Sequence, residues 1–94
     1  MSDGTVILNS EWADSFREKL DRNYSWPTLY IYKFIVPRGK EEDVRRLFPL
    51  HTTSEKESRN GNYVSLTFQM MMPSSIAVVE VYRKASVIEG LIAL

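Results

Sequence analysis

The chain contains no cysteine, which excludes a disulfide, a thiolate nucleophile and a cysteine-based zinc site, and agrees with a reducing compartment. Histidine is nearly absent as well. The one histidine, His51, has no clustered carboxylates to complete a metal set or a catalytic triad, and reads as an ordinary loop or strand-end residue. Excess charge is lacking too: 12 Lys+Arg balance 12 Asp+Glu, removing the electrostatic footprint of a protein that tracks nucleic-acid phosphates or an anionic membrane. No apolar run approaches the ~20 residues that span a bilayer. Met1-Ser2-Asp3-Gly4 has no basic character, so neither a signal peptide nor an anchor is expected, and the expected location is the cytoplasm. Glycine-rich phosphate fingerprints are missing, and Gly39 and Gly61 belong to turns. Internal repeats and low-complexity tracts are missing as well. These absences together point away from an enzyme, and no cofactor or metal is expected.

What is present is one domain's worth of chain, 94 residues, organised around the apolar and aromatic run from Trp26 to Val36. Before it, Thr5-Val6-Ile7-Leu8 is β-prone, and Asn9 or Ser10 supplies an N-cap for a helix. Trp12, Phe16 and Leu20 recur at i, i+4 and i+8, a stripe expected to pack on the protein's own sheet. Asn23 to Pro27 ends this helix, because a residue before proline avoids the α region.

From Thr28 to Val36 a period of two divides Tyr30, Tyr32, Phe34 and Val36 from Leu29, Ile31, Lys33 and Ile35. An ammonium is rarely buried unpaired, so the aromatic face belongs under the helices and the Lys33 face lies toward solvent or an interface. After Pro37-Arg38-Gly39, Lys40 to Phe48 reads as a short helix with Val44, Leu47 and Phe48 inward. Its acids Glu41, Glu42 and Asp43 come first and Arg45 and Arg46 later, as the helix dipole prefers.

His51 to Ser58 is polar, holding Thr52, Thr53, Ser54, Glu55, Lys56 and Glu57, and suits a solvated edge strand. Asn60-Gly61 predicts a two-residue hairpin turn into Tyr63 to Met71, where Val64, Leu66, Phe68 and Met70 alternate with Ser65, Thr67 and Gln69. Pro73-Ser74-Ser75 starts a helix over a β-branched run, with Ile76, Val79 and Tyr82 recurring every three residues. Val87 to Leu94 is expected as a last strand, in which Gly90 marks a bulge or a close approach. The fold class is α+β: a ferredoxin-like βαββαβ with a four-stranded antiparallel sheet, two helices on one face and an added N-terminal helix.

Trp26-Pro27, the strand Tyr32-Lys33-Phe34-Ile35-Val36-Pro37, the stretch Ser58 through Asn60-Gly61-Asn62-Tyr63-Val64-Ser65, and the ending Ile88-Glu89-Gly90-Leu91-Ile92-Ala93-Leu94 resemble the YbeD-like family of small uncharacterised bacterial proteins. The resemblance covers roughly Trp12 to Leu94. It implies a ferredoxin-like fold similar to the ACT regulatory domains of amino-acid metabolism, with residues 1–25 as an N-terminal extension and 26–94 as the ACT-like domain, one domain overall. Members closer to YbeD carry a glycine just after the first strand, where this chain has Val36-Pro37 and reaches Gly39 later. The loop after the first strand helps form ligand sites in many ACT domains, so this departure counts against carrying that pocket over.

Leu29, Ile31, Lys33, Ile35, Ser65, Thr67 and Gln69 are the candidate interface or ligand face. The N-terminal helix or a second copy is the expected cover, and a small ligand is the alternative. Met70-Met71-Met72 reads as core or rim filling rather than a soft-metal site. The carboxylates Glu41, Glu42, Asp43, Glu55 and Glu57 are explained by solvation. The expected function is a non-catalytic regulatory or protein-interaction module working through a protein partner or self-association. The alternative is a sensor or small enzyme using Lys33 with Ser65 or Thr67 around an anionic metabolite. RNA binding is a minor alternative, because Tyr30, Tyr32, Phe34 and Phe68 are assigned to the covered face and the net charge is zero; nucleic acid and membrane are not expected partners.

Overall fold

The computed structural model describes residues 10–51 and 53–94, so the β-prone run at Thr5 to Leu8, the Asn9 cap and Thr52 lie outside the described residues. The elements in chain order are α1 (Ser10–Asn23), β1 (Thr28–Pro37), α2 (Glu41–Leu47), β2 (Thr53–Glu57), β3 (Tyr63–Met72), α3 (Ser75–Ala85) and β4 (Ile92–Ala93). The result is an α+β architecture of three helices and one four-stranded antiparallel sheet in the order β2-β3-β1-β4. By contacts the chain divides into two compact units. One draws on the described residues up to Tyr30 and on Met71–Val87, the other on Ile31–Met70 and Ile88–Leu94.

The first unit is built from α1, the start of β1, the end of β3 and α3. The apolar stripe of α1 meets α3: Phe16 lies edge-on to Tyr82 at 5.7 Å and stacks on Trp12 at 4.9 Å. Leu20 and, beside the stripe, Ala13 are buried, whereas Trp12 and Phe16 are only half-buried. Asp21 accepts a 2.9 Å hydrogen bond from the Trp26 indole where the chain leaves α1. Helix α3 starts on Ser74, whose hydroxyl accepts the Ala77 amide at 3.2 Å and so satisfies one of the free N–H groups of the first turn. The β-branched run is a helix because that cap and the 3.6-residue period prevail over strand propensity. Its buried face is Ser75, Val78, Val79, Tyr82 and Ala85; Ile76 is exposed, so the expected three-residue recurrence from Ile76 is corrected to a 3-4 spacing from Ser75. Tyr30 and Tyr82 share a 3.0 Å hydroxyl–hydroxyl hydrogen bond, and burial pushes the Tyr30 phenol above its ordinary value.

The second unit holds β1 from Ile31 onward, α2, the β2–β3 hairpin up to Met70 and β4. Tyr32, Phe34, Val36, Val64, Leu66, Phe68 and Met70 are buried, while Ile31 and Lys33 are exposed and Ile35 half-buried; the alternation therefore holds on both long strands. Helix α2 covers this buried face through Val44 and through Phe48, whose ring lies 6.3 Å from Phe34 and 5.1 Å from Phe68. Leu47 is half-buried.

Two local expectations are corrected. The hairpin connection is four residues, Arg59 to Asn62, between Ser58 and Tyr63, and only Gly61 has a positive φ, at 76°. The Ser58 hydroxyl accepts the Tyr63 amide at 3.1 Å and the Asn60 carboxamide accepts the Asn62 amide at 3.2 Å, so side chains supply contacts that a tighter turn would make with backbone. The last strand is only Ile92–Ala93, because the chain turns at Ile88 to Leu91, with Leu91 N–H bonded to Ile88 C=O at 3.2 Å. Gly90 sits in that turn at φ +81°, where an added Cβ would stand 2.8 Å from Pro37 Cγ, so the close approach expected of it is present.

Candidate functional site

The register of the second unit assembles its outer sheet face. Lys56 lies opposite Ser65 and Ser54 opposite Thr67 across the hairpin; Ile35 lies opposite Ile92 on the β4 side. Directly paired residues share a face, so Ile31, Lys33 and Ile35 of β1 are flanked by Ser65, Thr67 and Gln69 of β3 and then by Ser54 and Lys56 of β2. The face is apolar at β4, mixed at β1, where Lys33 lies between Ile31 and Ile35, polar at β3 and polar to cationic at β2. Of the seven residues expected here from sequence, six gather in this unit, with Ile31 58% exposed. Leu29 is 49% exposed and belongs to the other unit.

An open groove of about 520 Å³ crosses this face, lined by Lys33, Ile35, Lys56, Glu57, Ser58, Arg59, Tyr63 and Ser65. Its end wall is the hairpin loop, which β1 holds in place: Arg38 N–H donates to Asn62 C=O at 2.9 Å, and its guanidinium reaches Gly61 C=O at 3.5 Å. The Ser58 hydroxyl is committed to the loop, donating to Asn60 Oδ1 at 3.0 Å, while the Ser65 hydroxyl makes a long 3.4 Å bond to Lys56 C=O. A second open depression, lined by Leu50, His51, Thr53, Ser54, Thr67 and Gln69, places His51 exposed at its rim.

On the covered side the charges are paired. Glu55 accepts two hydrogen bonds from Arg45, at 2.7 and 2.6 Å, and Arg45 also reaches Glu42 at 2.8 Å. These bonds hold the Glu55 carboxyl below the usual carboxylate range and the Arg45 guanidinium above its own. Glu57 meets Arg38 at 3.4 Å. The expectation that solvation alone explains these carboxylates is corrected for Glu42, Glu55 and Glu57: Glu42 meets Arg45 one turn along α2, and a strand's alternation turns Glu55 and Glu57 toward α2 and the end of β1, where arginines wait. Among the described residues no three of His, Asp and Glu gather to hold a metal ion, and no helix is long and apolar enough to cross a membrane.

Sequence reasoning assigned Lys33 and Ser65 to the face and missed Lys56, Arg59 and Tyr63. The signal was there. Asn60-Gly61 lies at the centre of the loop, so a two-residue turn on it gives the same register as the observed four-residue loop, with Lys56 opposite Ser65.

Fold and groove together define a small α+β protein with an open sheet face whose cations line one end. The chain belongs to the family described as Protein of unknown function (DUF493), whose model matches residues 21–93. No match was found among curated proteins or among solved structures.

Proposed function

We propose that the chain is a non-catalytic regulatory or interaction module, YbeD-like and ferredoxin-like in fold and similar to ACT domains, that works in the cytoplasm by binding at its outer sheet face. The β-α-β-β-α-β succession after α1, and a sheet with β1 and β3 central, support the fold part of this reading. In it, residues 26–94 form the domain and 1–25 an extension. The observation that carries the functional part is the outer face itself: Ile31 and Ile92 exposed beside Lys33, Thr67 and Gln69, an amphipathic surface on a rigid sheet. A protein partner, a second copy or a small molecule would each be recognised there.

Native purification followed by mass spectrometry of co-purifying proteins and small molecules tests this reading. The expected result is a bound species that is lost from Ile31→Glu and Thr67→Arg while both variants stay folded. A strict monomer in light scattering that retains neither protein nor metabolite contradicts it, and so does a species both variants retain in full.

A further inference from the structure

The chain is neutral by composition, but its outer sheet face is not. Strand β2 reads Thr53-Ser54-Glu55-Lys56-Glu57, and its register sets Glu55 and Glu57 opposite the buried Leu66 and Val64, and Ser54 and Lys56 opposite the outward Thr67 and Ser65. Strands β1 and β3 contribute no carboxylate at all. Both acids of β2 are taken by arginines, Glu55 by Arg45 at 2.6 Å and Glu57, which also borders the groove, by Arg38 at 3.4 Å. The Lys33 and Lys56 ammonium groups and the Arg59 guanidinium line the groove with no carboxylate partner among the described residues. Three cations from β1, β2 and the hairpin loop thus line one groove together with Ser65.

We propose that this groove is a binding site for a small phosphate-bearing molecule, its phosphate held by Lys33, Lys56 and Arg59 and its ring or apolar part lying on Tyr63 and Ile35. The proposal rests on the reading of the outer face as the binding surface and names the ligand class. Three unpaired cations match a dianionic phosphate better than a single carboxylate charge, and a guanidinium fork pairs with phosphate oxygens through two parallel hydrogen bonds. The half-exposed Tyr63 and half-buried Ile35 in the same groove give an attached ring a surface to cover. The size of the groove, about 520 Å³, is that of a small-molecule site. Beyond it the face turns apolar at Ile31, Ile92 and Leu94, which offers no track for a polyanion carrying one charge per nucleotide.

The test is a 1H–15N NMR titration of the full chain at low salt with inorganic phosphate, phenyl phosphate and benzoate. The expected result is saturable shifts confined to Lys33, Lys56, Arg59, Tyr63 and Ser65, with phenyl phosphate binding at least about fivefold more tightly than inorganic phosphate. Lys56→Gln and Arg59→Gln each weaken phenyl phosphate about fivefold, while Arg46→Gln, an exposed cation on α2, leaves it unchanged. Tyr63→Ala removes the preference for phenyl phosphate and leaves inorganic phosphate as it was. Benzoate binding as well as phenyl phosphate, equal weakening by Arg46→Gln, or displacement of phenyl phosphate by a short single-stranded RNA of higher affinity each overturns the assignment. If no phosphate binds while a native species is still lost from Ile31→Glu, the ligand class falls and the binding-module reading stands.

Discussion

On the covered side of β2, Glu55 and Glu57 each meet an arginine; on the outer side, Lys56 and its neighbours Lys33 and Arg59 meet no carboxylate. One strand therefore carries paired charge on one face and unpaired charge on the other, set apart by the period of two, although Glu57 at the strand's end also borders the groove. The covered face serves stability: Phe34 and Phe68 are fully buried, Phe48 closes over them, and Arg45 ties α2 to β2. The outer face leaves Ile31 and the cations without such work. Unpaired like charges brought together cost a folded protein some stability, a cost that the proposed phosphate ligand would offset.

The largest way to break the contrast is to empty the covered face. Phe68→Ala removes a ring with no exposed surface and is expected to cost about 3–5 kcal/mol in urea unfolding, whereas Ile31→Glu on the outer face stays within about 0.5 kcal/mol of the parent. Equal losses at the two positions would erase the difference between the faces. Next in size is Gly90→Ala, which places a Cβ 2.8 Å from Pro37 Cγ at φ +81°. It is expected to lower stability by about 1–3 kcal/mol, read from the thermal midpoint, by loosening the turn that buries Ile88 and Leu91.

The smallest effect sharpens the charge comparison. Glu55→Gln leaves Arg45 without its bidentate partner, and because solvent screens the pair the loss at neutral pH is expected to be smaller than that of Gly90→Ala. The Glu55 carboxyl is lowered in the folded chain, so its contribution is present above the ordinary carboxylate value and fades as pH falls through the lowered one. Unfolding followed from pH 6 to pH 3 should therefore show the variant and parent converging as acid is added. A gap that widens toward pH 3 contradicts the pairing.

Much of this frame was legible in the residues. Tyr32, Phe34 and Val36 against Lys33 fixes which side of β1 is buried, because an ammonium stays out of an apolar core, and Ser74 ahead of a β-branched run marks α3 as a helix despite strand propensity. The site was half legible. Lys33 and Ser65 follow from alternation within their own strands, but Lys56 and Arg59 need the hairpin register, and a polar edge strand has no hydrophobic pattern to announce which side faces out. The shortness of β4 was not legible, since Ile88 and Leu91 are buried by a turn around Gly90 that apolar content alone reads as a continuous strand.

The most direct measurement is a pair of thermal melts of Lys33→Gln/Lys56→Gln/Arg59→Gln and the parent, each with and without phenyl phosphate at about ten times its dissociation constant. The parent should gain about 1.4 kcal/mol, several degrees in midpoint, and the variant should melt alone at the parent's temperature or slightly above it and gain nothing from the ligand. A variant that melts well below the parent, or that rises with phenyl phosphate as the parent does, would show that these three cations hold the fold or are indifferent to anions, and would contradict the separation of the two faces.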